Sequence, residues 1–273
     1  MEFVEAHGAR VPIVGFGTMR LKEEAGAEAI LSAIRTGYRH LDTAAHYGNE
    51  KEVGAAIKAS GVPREEFFLT TKVRDNNLKA DDFARSLENS LKLLDLPSVN
   101  LLLIHWPNPN VPAAEGIGAL NKAKRDGFTH HIGVANYTVA LLNEAQAVTQ
   151  EPLVTNQIEV HPFLDQTKVI EVTRSYGMSV TAYCPIARGR VPGDPVLERI
   201  GATHHKTASQ VALRWLTQQG LIVIPGSGQP ARQKENLEVL DFTLTAADMA
   251  EIAALKRPDG RVVNPPQAPE WDG

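Results

Sequence analysis

The chain is short of cysteine and of uncompensated charge, and each shortage removes a class of protein. Cys184 is the only cysteine, so no internal disulfide can form and the single thiol fits a reducing compartment. Aromatic residues make up 6% of the chain and the net charge is -4. A surface of that balance has no basic footprint for a nucleic-acid backbone, which leaves small molecules as the expected partners. No apolar run reaches the roughly 18 residues that a helix needs to cross a bilayer. The opening Met1-Glu2-Phe3-Val4-Glu5 places no basic segment ahead of an apolar one, so no secretory leader is expected. A cytoplasmic protein with neither a membrane nor a nucleic acid as partner is the expectation.

What is present is a rhythm. Hydrophobic residues make up 43%, and the 21 glycines and 17 prolines are scattered, so no linker or low-complexity tract interrupts the chain. One domain over residues 1–273 is expected, a length that suits an eightfold strand and helix barrel. A turn at His7-Gly8-Ala9 makes a short hairpin with Pro12 on an edge. Short apolar runs follow at 14–16, 38–41, 67–73, 99–104, 131–135, 154–158, 178–183 and 221–224. Segments of helical period lie at 24–34, 50–59, 79–94, 114–125, 138–147, 168–176 and 209–218, with a tail helix after Thr245. Gly37, Gly61, Gly127, Gly177 and Gly220 stand where left-handed helix ends are wanted. The pattern predicts an α/β protein, a (β/α)8 TIM barrel with an N-terminal β-hairpin and a short C-terminal tail. An open doubly wound sheet is the alternative.

Barrel chemistry belongs at the C-terminal ends of the strands. Asp42 ends the second apolar run, Tyr47 lies on the loop beyond it, Lys72 falls near the end of the third run and His105 follows the fourth. A phenol is a poor acid at its ordinary pKa of about 10, and an ammonium beside it favours phenolate by roughly one to three units. Lys72 is expected to supply that field, Asp42 to keep Lys72 charged, and His105 to hold a carbonyl oxygen or pass a proton. Such a group activates a carbonyl but supplies no electrons, which implies a cofactor. A lyase or isomerase that uses Lys72 as a base or Schiff-base nucleophile is the rival reading. The histidine pairs His130-His131 and His204-His205 point to opposite faces of any strand, so no metal is expected.

Several stretches together carry a resemblance: Gly15-Phe16-Gly17-Thr18, Asp42-Thr43-Ala44, Tyr47-Gly48-Asn49-Glu50, Thr71-Lys72, Leu103-Ile104-His105-Trp106-Pro107, Ile132 to Tyr137, Asn156 to Glu159, Tyr183-Cys184-Pro185, and Ile224-Pro225-Gly226-Ser227 with Arg232, Glu235 and Asn236. In this order they resemble the aldo-keto reductase family, and its bacterial members that reduce 2,5-diketo-D-gluconate or methylglyoxal. The resemblance implies NADPH-dependent reduction of aldehydes or ketones by a monomer, with NADH as the alternative cofactor and no Gly-x-Gly-x-x-Gly fingerprint required. It implies Tyr47 as general acid, Lys72 and Asp42 as its tuning pair, and His105 as the orienting group. Asn136 and Gln157 would then bind the carboxamide, Tyr183 would stack on the nicotinamide, and Thr18, Asp42, Gly226, Ser227, Arg232, Glu235 and Asn236 complete the cofactor set. Phe16, Met19, His46, Tyr47, His105, Trp106, Tyr137 and Trp271 form the implied substrate wall. Two positions depart from the pattern: Gly226 stands where NADPH-preferring relatives carry lysine, and Ala135 where many carry serine. A cofactor-binding regulatory subunit on the same fold is a further alternative.

Overall fold

The computed structural model describes residues 1–272. A hairpin of β1 (Phe3–Ala6) and β2 (Ala9–Pro12) precedes eight strands. These are β3 (Phe16–Gly17), β4 (His40–Asp42), β5 (Phe68–Val73), β6 (Val99–Ile104), β7 (Thr129–Ala135), β8 (Leu153–Glu159), β9 (Ser179–Tyr183) and β10 (Ile222–Val223). Each pairs in parallel with its neighbour in chain order. A parallel bridge between Val14 and Val223, with Gly15 N–H donating to Val223 O at 2.8 Å and Gly17 N–H to Pro225 O at 3.1 Å, joins the last strand to the first. The sheet therefore curls on itself as the expected (β/α)8 barrel.

Ten helices surround it: α1 (Glu23–Thr36), α2 (Glu50–Ser60), α3 (Ala80–Leu94), α4 (Ala113–Arg125), α5 (Val139–Val148), α6 (Thr167–Ser175), α7 (Pro195–His204), α8 (Ala208–Gln218), α9 (Pro230–Leu237) and α10 (Ala246–Ala253). Eight match the helical periods in the sequence. The two that the periodicity misses, α7 and α9, both begin at proline, and α9 buries only the polar Gln233 and Asn236. Without an apolar stripe such a helix leaves no periodic signal.

Two apolar clusters fix the barrel. The larger packs outward-facing strand residues such as Leu69, Leu102 and Ile132 against helix residues including Ile30, Leu87 and Ile117. Truncating one of these to alanine is worth about 2–5 kcal/mol. The smaller brings Ala6, Ala9 and Val11 of the hairpin onto Phe68, Leu101 and Leu103, so the hairpin plugs the N-terminal end. The period of two along a strand then decides the chemistry of the other end. Phe68 and Lys72 share one face of β5, and His105 continues the face of Leu101 and Leu103. The residues that carry charge thus emerge above an apolar plug, at the C-terminal rim.

Candidate active site

The four strand-end residues meet. Lys72 Nζ, fully buried, donates to Asp42 Oδ1 at 2.5 Å and to the Thr43 carbonyl at 2.9 Å. Its third contact is the Tyr47 hydroxyl, at 3.5 Å. Tyr47 closes the short turn Ala45–Tyr47 and is only partly covered. Its ring stands 5.6 Å from that of His105 at an interplanar angle of 80°. The second oxygen of Asp42 accepts from Gln157 Nε2 at 2.7 Å, so both carboxylate oxygens are engaged, as a buried charge requires.

Burial sets the proton inventory. It pushes the Tyr47 phenol up, against the pull of the Lys72 ammonium, and the net direction is upward. Lys72 does pull this phenol down as expected, but desolvation outweighs it, so the expected net lowering is corrected to a net rise. Burial also draws Lys72 down, but Asp42 and Tyr47 more than offset it and the ammonium is held charged. His105 falls well below 6.5, through burial first and then the charge of Lys72. It is therefore a neutral imidazole at neutral pH, suited to donate a hydrogen bond.

The cofactor candidates divide into two places. Asn136 follows β7 with a left-handed φ of 63°, a conformation asparagine tolerates better than most residues. Its Nδ2 donates to the His105 carbonyl at 2.9 Å, and its Oδ1 accepts from the Tyr183 hydroxyl at 2.6 Å. Its backbone N–H bonds the Gln157 carbonyl at 2.9 Å. Gln157 Oε1 has no hydrogen-bond partner among the described residues, and each amide nitrogen keeps a further N–H, so the pair fits a carboxamide. Thr18 donates through Oγ1 to the Asp42 carbonyl at 3.0 Å and reads as a brace of the loop.

At the far end, Gly226 follows β10 and Ser227, Arg232, Glu235 and Asn236 lie on or before α9. Arg232 is exposed and makes no ion pair among the described residues, which suits a phosphate. Ser227 Oγ caps the Gln229 N–H at 3.1 Å, and Glu235 Oε1 accepts from Thr207 Oγ1 at 2.6 Å. Glu235 is thus tied to the start of α8. Gly226 is more than an absent charge: a Cβ there would stand 2.2 Å from the Gly17 carbonyl oxygen. The backbone has no room for a lysine at this position unless β3 moves.

The expected substrate wall is only partly assembled. His46 lies 6.1 Å from His105, Trp106 lies 6.5 Å from His105, and Trp271 meets Trp106 edge-on at 6.1 Å. Met19 is exposed beside this rim in sequence. Phe16 does not join them: it is 1% exposed and packs 5.2 Å from Tyr38 in the core between sheet and helices. Tyr137 also turns away, its ring buried and its phenol pushed up by burial first and then by the field of Glu144 on α5. For Phe16 this follows from strand alternation, which sends the residue next to an inward one outward; Tyr137 lies beyond the end of β7, after the left-handed Asn136. Among the described residues no group of three or more His, Cys, Asp or Glu side chains is arranged to hold a metal ion.

Three supports, Asn49, Glu50 and Glu159, lie in stretches that carry the resemblance but are given no role by it. Asn49 is buried and donates to the Thr18 and Leu21 carbonyls, both at 2.8 Å, while accepting from Thr43 Oγ1 at 2.8 Å. Glu50 is buried and accepts from Thr71 Oγ1 at 2.5 Å. Glu159, wholly buried, accepts from His161 Nε2 at 2.9 Å, Val262 N–H at 2.6 Å and Val263 N–H at 2.8 Å. This clamp fixes the tail that carries Trp271. The i, i+2 spacing of Glu159, at the end of β8, and His161 just beyond it is the signal that could have found it.

The comparisons with known proteins agree with this geometry. The model of the aldo/keto reductase family matches residues 13–257. Methylglyoxal reductase DkgB of Escherichia coli O157:H7 is 42% identical over 266 residues, 96% of this chain and 99% of that protein. A crystal structure of a candidate 2,5-diketo-D-gluconic acid reductase B superposes with a TM-score of 0.96 at 48% identity, covering 100% of this chain and 98% of the other. The Bombyx mori aldo-keto reductase AKR2E4, solved in complex with NADP, gives 0.85 at 34% identity, with 91% and 90% covered. A parallel barrel with this polar rim and these likenesses belongs to the aldo/keto reductase family, and the chain is an NAD(P)H-dependent carbonyl reductase.

Proposed function

We propose that Tyr47 is the proton donor to the carbonyl oxygen of a small aldehyde or ketone, of the methylglyoxal or 2,5-diketo-D-gluconate type, with NADPH used ahead of NADH. The observation that carries this reading is the Tyr47 hydroxyl 3.5 Å from Lys72 Nζ at the strand-end rim, with the His105 ring beside it. A reduced nicotinamide, when bound, supplies the hydride. Asn136 and Gln157 would hold its carboxamide, Tyr183 its ring, and Arg232 its distal phosphate.

The residues of the chain divide the remaining work. A phenol kept protonated by burial is a proton reservoir at neutral pH, and its proton passes to the carbonyl oxygen as negative charge develops there. Lys72 stabilises the phenolate left behind, because its ammonium is locked by Asp42 and Thr43 and has no other route to neutrality. The neutral His105 donates a hydrogen bond to the same oxygen and sets its direction. Trp106 and Trp271 supply an apolar wall that keeps water from the carbonyl.

Lys72 is a poor Schiff-base nucleophile in this arrangement, since it is charged and committed to acceptors. The DkgB relatives support a small substrate, handled by one domain acting as a cytoplasmic monomer. Absorbance of NADPH and of NADH followed separately against a carbonyl panel tests the reading, with oxidation of NADPH by methylglyoxal expected. No oxidation of either cofactor by any member of the panel would overturn it.

A further inference from the structure

A cavity of about 490 Å³ lies beside the barrel rim, apart from the catalytic group: Asp42, Tyr47, Lys72 and His105 all lie outside its lining. Ile104, Pro109, Val111 and Leu141 make its apolar walls, and Gln267, Pro269 and Glu270 of the tail roof it. Its volume is that of a small-molecule site. Two features give it chemistry. Tyr137 is 5% exposed and lines it, and its hydroxyl has no hydrogen-bond partner among the described residues. The side chain is buried while its hydroxyl is left free to take a partner from the cavity. Among the described residues that line it, the ionisable side chains besides that phenol are Glu144 and Glu270, both acidic. Burial pushes the phenol up, and the Glu144 carboxylate, which lines the same cavity, adds to that push.

We propose that this cavity is a second binding site, for a small organic cation with an apolar body. The apolar part would fill the space between α4, α5 and the loop after β6. Its ammonium would sit between Glu144 and Glu270 and donate to the Tyr137 oxygen, a charge-assisted contact at an otherwise unpaired group. The roof continues directly into Trp271, which packs on Trp106, and Asp272 accepts from the Val139 N–H of α5 at 3.0 Å. An occupant would therefore press on the same tail that borders the reaction site.

Benzylammonium is a suitable probe and benzoate its control of the same shape and opposite charge. Titration calorimetry on the protein without cofactor or carbonyl is expected to show one benzylammonium site, with benzoate about tenfold weaker or more. Glu144→Gln should weaken the cation about three- to fivefold, and Tyr137→Phe about three- to tenfold. Ala113→Phe, which fills the cavity from the first turn of α4, should abolish binding. Absence of benzylammonium binding, equal binding of benzoate, or binding that survives Ala113→Phe would each overturn the proposal. The measurement needs neither cofactor nor turnover, so its failure is separate from failure of the reductase reading.

Discussion

Two buried acid and base pairs flank the rim of this barrel, and they are used in opposite ways. Asp42 and Lys72 sit at the ends of β4 and β5 and leave one contact of the ammonium directed at a partly exposed phenol. Glu159 and His161 sit at the end of β8, and their polar atoms are consumed internally by Val262, Val263 and the Phe163 N–H, which donates to His161 Nδ1 at 3.3 Å. That last bond assigns the imidazole proton to Nε2, where it is given to Glu159. One network is open and ends on a reactive group. The other is closed and ends on backbone. A buried acid and base pair alone therefore says little about function; what it leaves unfilled says more.

The largest effects should separate the two by kind. Lys72→Met strands the Asp42 carboxylate in the barrel with Gln157 as its remaining side-chain partner, and a loss of about 3–5 kcal/mol of stability is expected in denaturant unfolding. Tyr47→Phe removes the acid while sparing the pair, so it should unfold normally, bind cofactor and lose at least about 100-fold in kcat. Near-normal turnover in Tyr47→Phe would make the open network structural and erase the contrast.

The open network was the legible one. Asp42, Lys72 and His105 each end a short apolar run, and the barrel rule turns those positions into neighbours. The strands themselves were readable because eight such runs alternate with amphipathic helices. Glu159 shows the limit. Its partners are backbone N–H groups more than a hundred residues onward in a tail with no periodicity, and backbone donors look alike in any sequence. Gly226 shows a different limit, since a sequence registers it as a missing lysine charge while the fold leaves no room for any side chain beside the Gly17 carbonyl. Phe16 fails for a third reason: a neighbouring motif placed it at the site, but strand parity turned it into the core.

The closed network gives smaller effects of a different type. Glu159→Gln keeps the shape and removes the charge that two tail N–H groups and His161 share, for about 1–3 kcal/mol of stability. Because the clamp orients Trp271 and touches no reacting atom, KM should rise a few-fold with kcat nearly unchanged. An equal fall in kcat would show that the clamp reaches the chemistry, and the two networks would then be one.

The smallest effect concerns pH, and its sign discriminates between proton donors. His105 is depressed well below 6.5, so it is already uncharged as pH falls from about 8 to about 6, and no catalytic proton is gained over that interval. Tyr47 is displaced upward, so it keeps its proton over the same interval and loses it only at alkaline pH. Rate limited by proton donation from Tyr47 should then change by less than about twofold between pH 6 and pH 8. A kcat that climbs steadily as pH falls through 6.5 would instead mark an imidazolium as the acid, and would move the donor from the phenol to His105.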